Sequence, residues 1–159
     1  MLEIRPDLVS TILRSYAKVL RHGRSHLFHA MPRMLTIWLD VTQKIRENDP
    51  EKQSTKESKG KASLDGSLAS QQNKKDVESL NREMTRAFRE LSPYTFYTSF
   101  QQLLSRIIHP DSQVFEILKT MLSQLIVKYP HQCLWQSIAV YRDTPANTKK
   151  KMDNNLRQM

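Results

Sequence analysis

One cysteine and three glycines in 159 residues exclude a good deal of chemistry. Cys133 alone supports neither an intrachain disulfide framework nor a cysteine metal cluster, so it reads as a small core thiol of a reducing compartment. Gly23, Gly60 and Gly66 are too scattered to form the glycine-rich loop that cradles nucleotide phosphates. The chain also lacks a G-x-S-x-G elbow, a CxxC pair and an HExxH helix. It has no apolar run long enough to cross a bilayer and no secretory signal at its start. The expectation is no catalytic, cofactor-binding or metal-binding residue and no membrane partner.

Charge of one sign, gathered on one element, is missing too. The net charge is +9, but residues 1–47 carry about +4, 48–75 about +2, 76–141 about zero and 142–159 about +3. Spread in this way, it reads as solvated surface, with nucleic acid not expected to bind directly. The alternative is a stand-alone basic helical module that binds nucleic acid or another protein, with Arg14, Lys18, Arg21, Arg24 and Arg33 as contacts. Large apolar residues are scarce between Asn48 and Lys75, where Leu64 and Leu68 stand among Lys, Ser, Gln and Glu. Such a stretch cannot bury enough surface to offset the entropy of ordering, and a disordered linker or insert is expected. The 38% apolar content is thereby concentrated in the remainder, enough for a core.

What the chain does have is helical periodicity. Pro6-Asp7 opens a pattern with Leu8, Val9, Ile12, Leu13, Tyr16, Val19 and Leu20 on one side, ended by Gly23. Ser25 is placed to cap a second helix, whose apolar side is Met34, Leu35, Trp38, Leu39 and Ile45. Pro32 falls inside that helix and is expected to kink or restart it. Asp76 is expected to cap a helix bearing Val77, Leu80, Met84, Phe88 and Leu91. Ser92-Pro93 then opens a pattern through Phe96, Phe100, Leu103, Leu104, Ile107 and Ile108. Asp111 opens another, from Val114 and Phe115 to Ile126, closed before Pro130. Leu134, Trp135, Ile138 and Ala139 form the last. Breaks this short place successive helices antiparallel. The fold class predicted is all-α: antiparallel helix pairs of a HEAT/TPR-like α-solenoid with a disordered polar insert. Its parts are a helical segment (1–47), the insert (48–75), helical repeats (76–141) and a basic tail or truncated helix (142–159).

Two local patterns invite sharper readings. His22, His26 and His29 are closely spaced, but no fourth ligand or carboxylate stands near them, and helix-end or surface histidines are expected rather than zinc ligands. His109-Pro110-Asp111 is the tripeptide that J-domain cochaperones carry between two antiparallel helices. A J-domain's preceding helix is strongly basic, whereas Arg106 is the one basic residue between Pro93 and His109; a tight turn and an N-cap account for Pro110-Asp111.

Two longer blocks carry a family likeness. One runs Tyr97-Thr98-Ser99-Phe100-Gln101-Gln102-Leu103-Leu104-Ser105-Arg106-Ile107-Ile108-His109, then Asp111, Val114-Phe115 and Leu118, Tyr129-Pro130-His131-Gln132, Leu134-Trp135 and Ala139-Val140. The other is Met31-Pro32-Arg33-Met34-Leu35-Thr36-Ile37-Trp38-Leu39-Asp40. With the second block upstream of the first, as in the family, they resemble the late FAT region of the phosphatidylinositol-3-kinase-related kinases, of the ATR-type DNA-damage checkpoint class. The chain departs from that pattern at His131, where the family usually has Gln, and after Tyr141. The resemblance implies a non-catalytic scaffold segment of a nuclear serine/threonine kinase. It implies as partners the kinase domain and neighbouring repeats of a parent protein, with a further protein or dimer contact. Since the catalytic lobe is absent, the resemblance also implies a fragment or truncated product, or a kinase encoded elsewhere.

Overall fold

A computed structural model describes residues 5–23, 25–48 and 64–143. Among these residues there are seven helices and no strand. They are α1 (Pro6–His22), α2 (Leu27–Glu47), α3 (Leu64–Glu90), α4 (Pro93–Tyr97), α5 (Phe100–Ser105), α6 (Ser112–Lys128) and α7 (Pro130–Asp143). Helix α1 packs on α2 and α3, α2 also on α3 and α4, α3 on α6, and α6 and α5 on α7. Contacts thus pass from each element to its near successors, the construction of an α-solenoid.

Pro6 occupies the first turn of α1, where its missing N–H is no loss. Gly23 ends the helix in extended backbone, with its N–H bonded to the Val19 carbonyl at 2.9 Å. The predicted single apolar side of α1 divides into two stripes. Ser10, Leu13 and Leu20 are buried, while Leu8, Ile12 and Val19 are exposed.

Three expected helix boundaries differ in the structure. His26, not Ser25, precedes α2, without a side-chain cap bond, and α2 continues through Pro32. Pro32 costs the helix one backbone bond, that of the Phe28 carbonyl four residues earlier, and Phe28 lies on the exposed side. Asp76 does not start a helix, because α3 already begins at Leu64 and Asp76 accepts an i,i+4 bond from Gln72 at 2.9 Å. Once Val77, Leu80 and Met84 are fixed by packing, backward extension adds one backbone bond per residue ordered. The helix-compatible Gln71, Gln72, Lys74 and Lys75 permit it, so 64–75 is not part of a disordered insert. The remainder of that expected insert, 49–63, and the tail from 144 lie outside the described residues.

The third difference is the break between α4 and α5, where one continuous helix was expected. The Thr98 hydroxyl donates to the Thr95 carbonyl at 2.7 Å, and the Ser99 N–H turns to Phe96 at 3.0 Å instead of Thr95. This tightened turn ends α4, and the helix restarts with Leu103 N–H on the Ser99 carbonyl.

Trp38 sits at the centre with no exposed surface, beside Met34, Leu35 and Leu39 of its own helix. Its indole N–H donates to Asn81 Oδ1 at 3.0 Å, and Asn81 Nδ2 donates to Gln113 Oε1 at 3.5 Å. A buried indole needs such a partner, and the chain of bonds links α2, α3 and α6. Phe88 and Phe96 meet edge-on with ring centroids 5.0 Å apart, and Tyr97 lies 5.2 Å from Tyr129. Gln136 of α7 donates to the Tyr97 hydroxyl at 2.9 Å.

Candidate interaction surfaces

Several polar residues of the two sequence blocks bond to one another and to α2. Asp111 is buried, caps α6 by accepting the Val114 N–H at 3.0 Å, and pairs with Arg46 of α2. The Asp111 N–H donates to His109 Nδ1 at 3.2 Å, so the imidazole proton belongs on Nε2, which faces the Leu39 carbonyl at 3.5 Å. Burial pushes the His109 pKa below its ordinary value, favouring this neutral form. Arg106 pairs with Asp40 at 3.1 Å, and Gln102 donates to the Pro32 carbonyl and to the Thr36 hydroxyl. The His-Pro-Asp tripeptide therefore braces α2 from within, which does not suit the J-domain reading.

The described basic candidates are divided between two surfaces. Arg14, Lys18 and Arg21 line a cleft that also contains Glu83 and Glu90. Arg14 bonds Glu83 at 2.6 Å, which holds the Glu83 carboxyl below its usual pKa. Arg33 lies elsewhere, on a groove between α1 and α2, and Arg24 is outside the described residues. His26 and His29 share that groove, whereas His22 lines the cleft with Arg14. Among the described residues no cluster of His, Cys, Asp and Glu is arranged to hold a metal ion. Cys133 is buried, its thiol donating to the Leu125 carbonyl at 3.4 Å, and burial pushes its pKa up, which suppresses the reactive thiolate.

Two apolar surfaces remain open. The first is the α1/α2 groove, about 800 Å³ in volume. Leu8, Ile12, Tyr16 and Val19 form one wall; His26, His29, Ala30 and Arg33 form the other. The second is on α7, where Leu134, Trp135 and Ile138 are exposed, Trp135 by 79%, with Val127 of α6 similarly bare at 82%. The sequence marks the apolar residues of α1 and α7 as helix faces, but not the basic and histidine wall of the groove. Its signal was available in the i, i+3, i+7 spacing of His26, His29 and Arg33 once α1 and α2 are placed side by side.

Stacked helices with a bonded interior define a helical-repeat fold. The sequence family described as "Serine/threonine-protein kinase ATR-like, HEAT repeats" matches residues 79–159, and the chain belongs to that family. It is 28% identical over 145 residues to Serine/threonine-protein kinase ATR of Drosophila melanogaster, covering 91% of this chain and 5% of that protein. It is 28% identical over 138 residues to Protein kinase rad3 of Schizosaccharomyces pombe, covering 87% and 5% respectively. To Serine/threonine-protein kinase ATR of Caenorhabditis elegans it is 30% identical over 149 residues, covering 92% and 6%. The chain thus spans roughly a twentieth of the length of these relatives. No solved structure matches it.

Proposed function

We propose that this chain is a non-catalytic scaffold segment, in the late FAT region, of an ATR-type serine/threonine kinase acting in nuclear DNA-damage checkpoint signalling. Its partners are the kinase domain and the neighbouring repeats of the parent protein. The observation that carries the reading is the pairing of a tightly bonded interior with two open apolar faces, on α1/α2 and on α7. Exposed apolar surface of this kind marks contact with another surface. The division into segment 1–47, insert, repeats 76–141 and basic tail is part of this proposal, with the first turns of α3 reassigned to the repeats.

The nucleic-acid alternative is not favoured, because Arg14, Lys18 and Arg21 share their cleft with carboxylates and Arg33 lies apart. Phosphotransfer tests the scaffold reading. Purified chain with labelled ATP and a Ser/Thr peptide gives background incorporation only, and the parent kinase carrying Trp135→Glu phosphorylates the peptide more slowly than the unaltered parent. Incorporation by the chain alone that survives repurification, or an unaffected Trp135→Glu parent, contradicts it.

A further inference from the structure

Within the block Met31 to Asp40, Arg33 stands apart. Met31, Met34, Leu35, Trp38 and Leu39 are buried, Asp40 pairs with Arg106, and Pro32 and Thr36 accept bonds from Gln102. Arg33 is exposed and has no carboxylate partner among the described residues, and it stands on the wall of the α1/α2 groove. None of the described residues lining that groove is acidic.

The opposite wall has a definite shape. Leu8, Ile12, Tyr16 and Val19 follow one another at helical spacing along α1, a stripe of about 16 Å at 1.5 Å per residue, or three helical turns. A trough between two packed helices, with an apolar ridge on one side, accepts a third helix by ridge-into-groove packing. The chemistry of the other wall selects among helices: a cationic Arg33 with His26 and His29 favours carboxylates beside the occupant's apolar stripe and disfavours lysines there.

We propose that the α1/α2 groove is a docking site for an acidic amphipathic helix, whose apolar stripe lies along Leu8, Ile12 and Val19 and whose carboxylate pairs with Arg33. The proposal rests on the scaffold reading for the source of that helix, a neighbouring repeat of the parent protein. The recognition chemistry can be tested without the parent and without any kinase assay, so the two ideas fail separately.

The probe is a dye-labelled synthetic helical peptide with leucines at i, i+4 and i+7 and glutamates flanking the stripe; its twin carries lysines in place of the glutamates. Anisotropy titrations use the full 159-residue chain. The glutamate peptide binds saturably, and the lysine peptide binds roughly tenfold more weakly or worse because like charges meet at Arg33. Arg33→Glu reverses that order, a gain for the lysine peptide that a misfolded variant could not produce. Ile12→Glu abolishes binding of both. The proposal is overturned if neither peptide saturates, if the two bind equally, or if Ile12→Glu leaves binding intact, which would seat the peptide elsewhere. It is also overturned if the chain alone dimerises and Ile12→Glu returns it to monomer, since the occupant would then be a second copy.

Discussion

Arg46 of α2 is ion-paired with Asp111, the N-cap of α6, and the pair is one of the links that fasten the first helical segment to the later repeats. The Asp111 side chain is 1% exposed, so removing it leaves a partly buried guanidinium without this carboxylate and α6 without its cap. Asp111→Ala lowers the unfolding free energy by about 3–5 kcal/mol, the usual cost of breaking a buried pair from one side. Asp111→Asn keeps an acceptor for the Val114 N–H and loses less. Urea titration followed by circular dichroism checks the order; equal, small losses would show that the pair contributes nothing.

Trp38 and Asn81 form another such link. Trp38→Phe retains most of the apolar volume but strands the Asn81 amide oxygen, at a cost of about 1–3 kcal/mol. Trp38→Ala adds a cavity and costs about 3–5 kcal/mol. Chemical denaturation of the two variants checks both figures, and a neutral Trp38→Phe would mean that water reaches Asn81.

The pH dependence follows from His109. Its folded-state pKa is lowered from 6.5 by burial, so the unfolded chain binds a proton first as the solution is acidified. The neutral-imidazole contribution is complete above 6.5 and is lost as pH falls from there through the lower folded value. His109→Gln flattens the stability profile in that window, measured as the difference between the two proteins' urea midpoints at successive pH values. An unchanged slope would place the acid sensitivity elsewhere.

Trp135 behaves oppositely to Trp38. With the residue 79% exposed, Trp135→Ala changes the stability of this chain by less than about 0.5 kcal/mol, as surface substitutions do. In a protein that includes the adjoining repeat, the same substitution costs about 3–5 kcal/mol because the indole is then core. Thermal melts of both pairs provide the comparison.

The all-helical fold was legible because its apolar residues keep period over long stretches. Asp111 and Pro130 could be read as boundaries for the same reason: an N-cap and a helix-ending proline act locally. The misread boundaries have different causes. Leu64 to Lys75 looks too polar to order, and becomes helical only as an extension of a segment anchored by Val77 and Leu80. The restart at Ser99 depends on one hydroxyl choosing one carbonyl, which periodicity does not register. The candidate surfaces were half legible. Apolar patches at α1 and α7 follow from surplus apolar residues, but the stripe of α1 that stays outside, Leu8, Ile12 and Val19, is decided by which side α3 covers.

Hydroxyl-radical footprinting with residue-resolved mass spectrometry, applied to this chain alone and to the proposed full-length parent, reads whether those faces are covered. Trp38 is expected to be protected in both, while Ile12, Val19 and Trp135 are oxidised in the chain and protected in the parent. Equal oxidation of those three residues in the two proteins would contradict the scaffold reading, because the apolar faces would then be bare where a scaffold segment must have them covered.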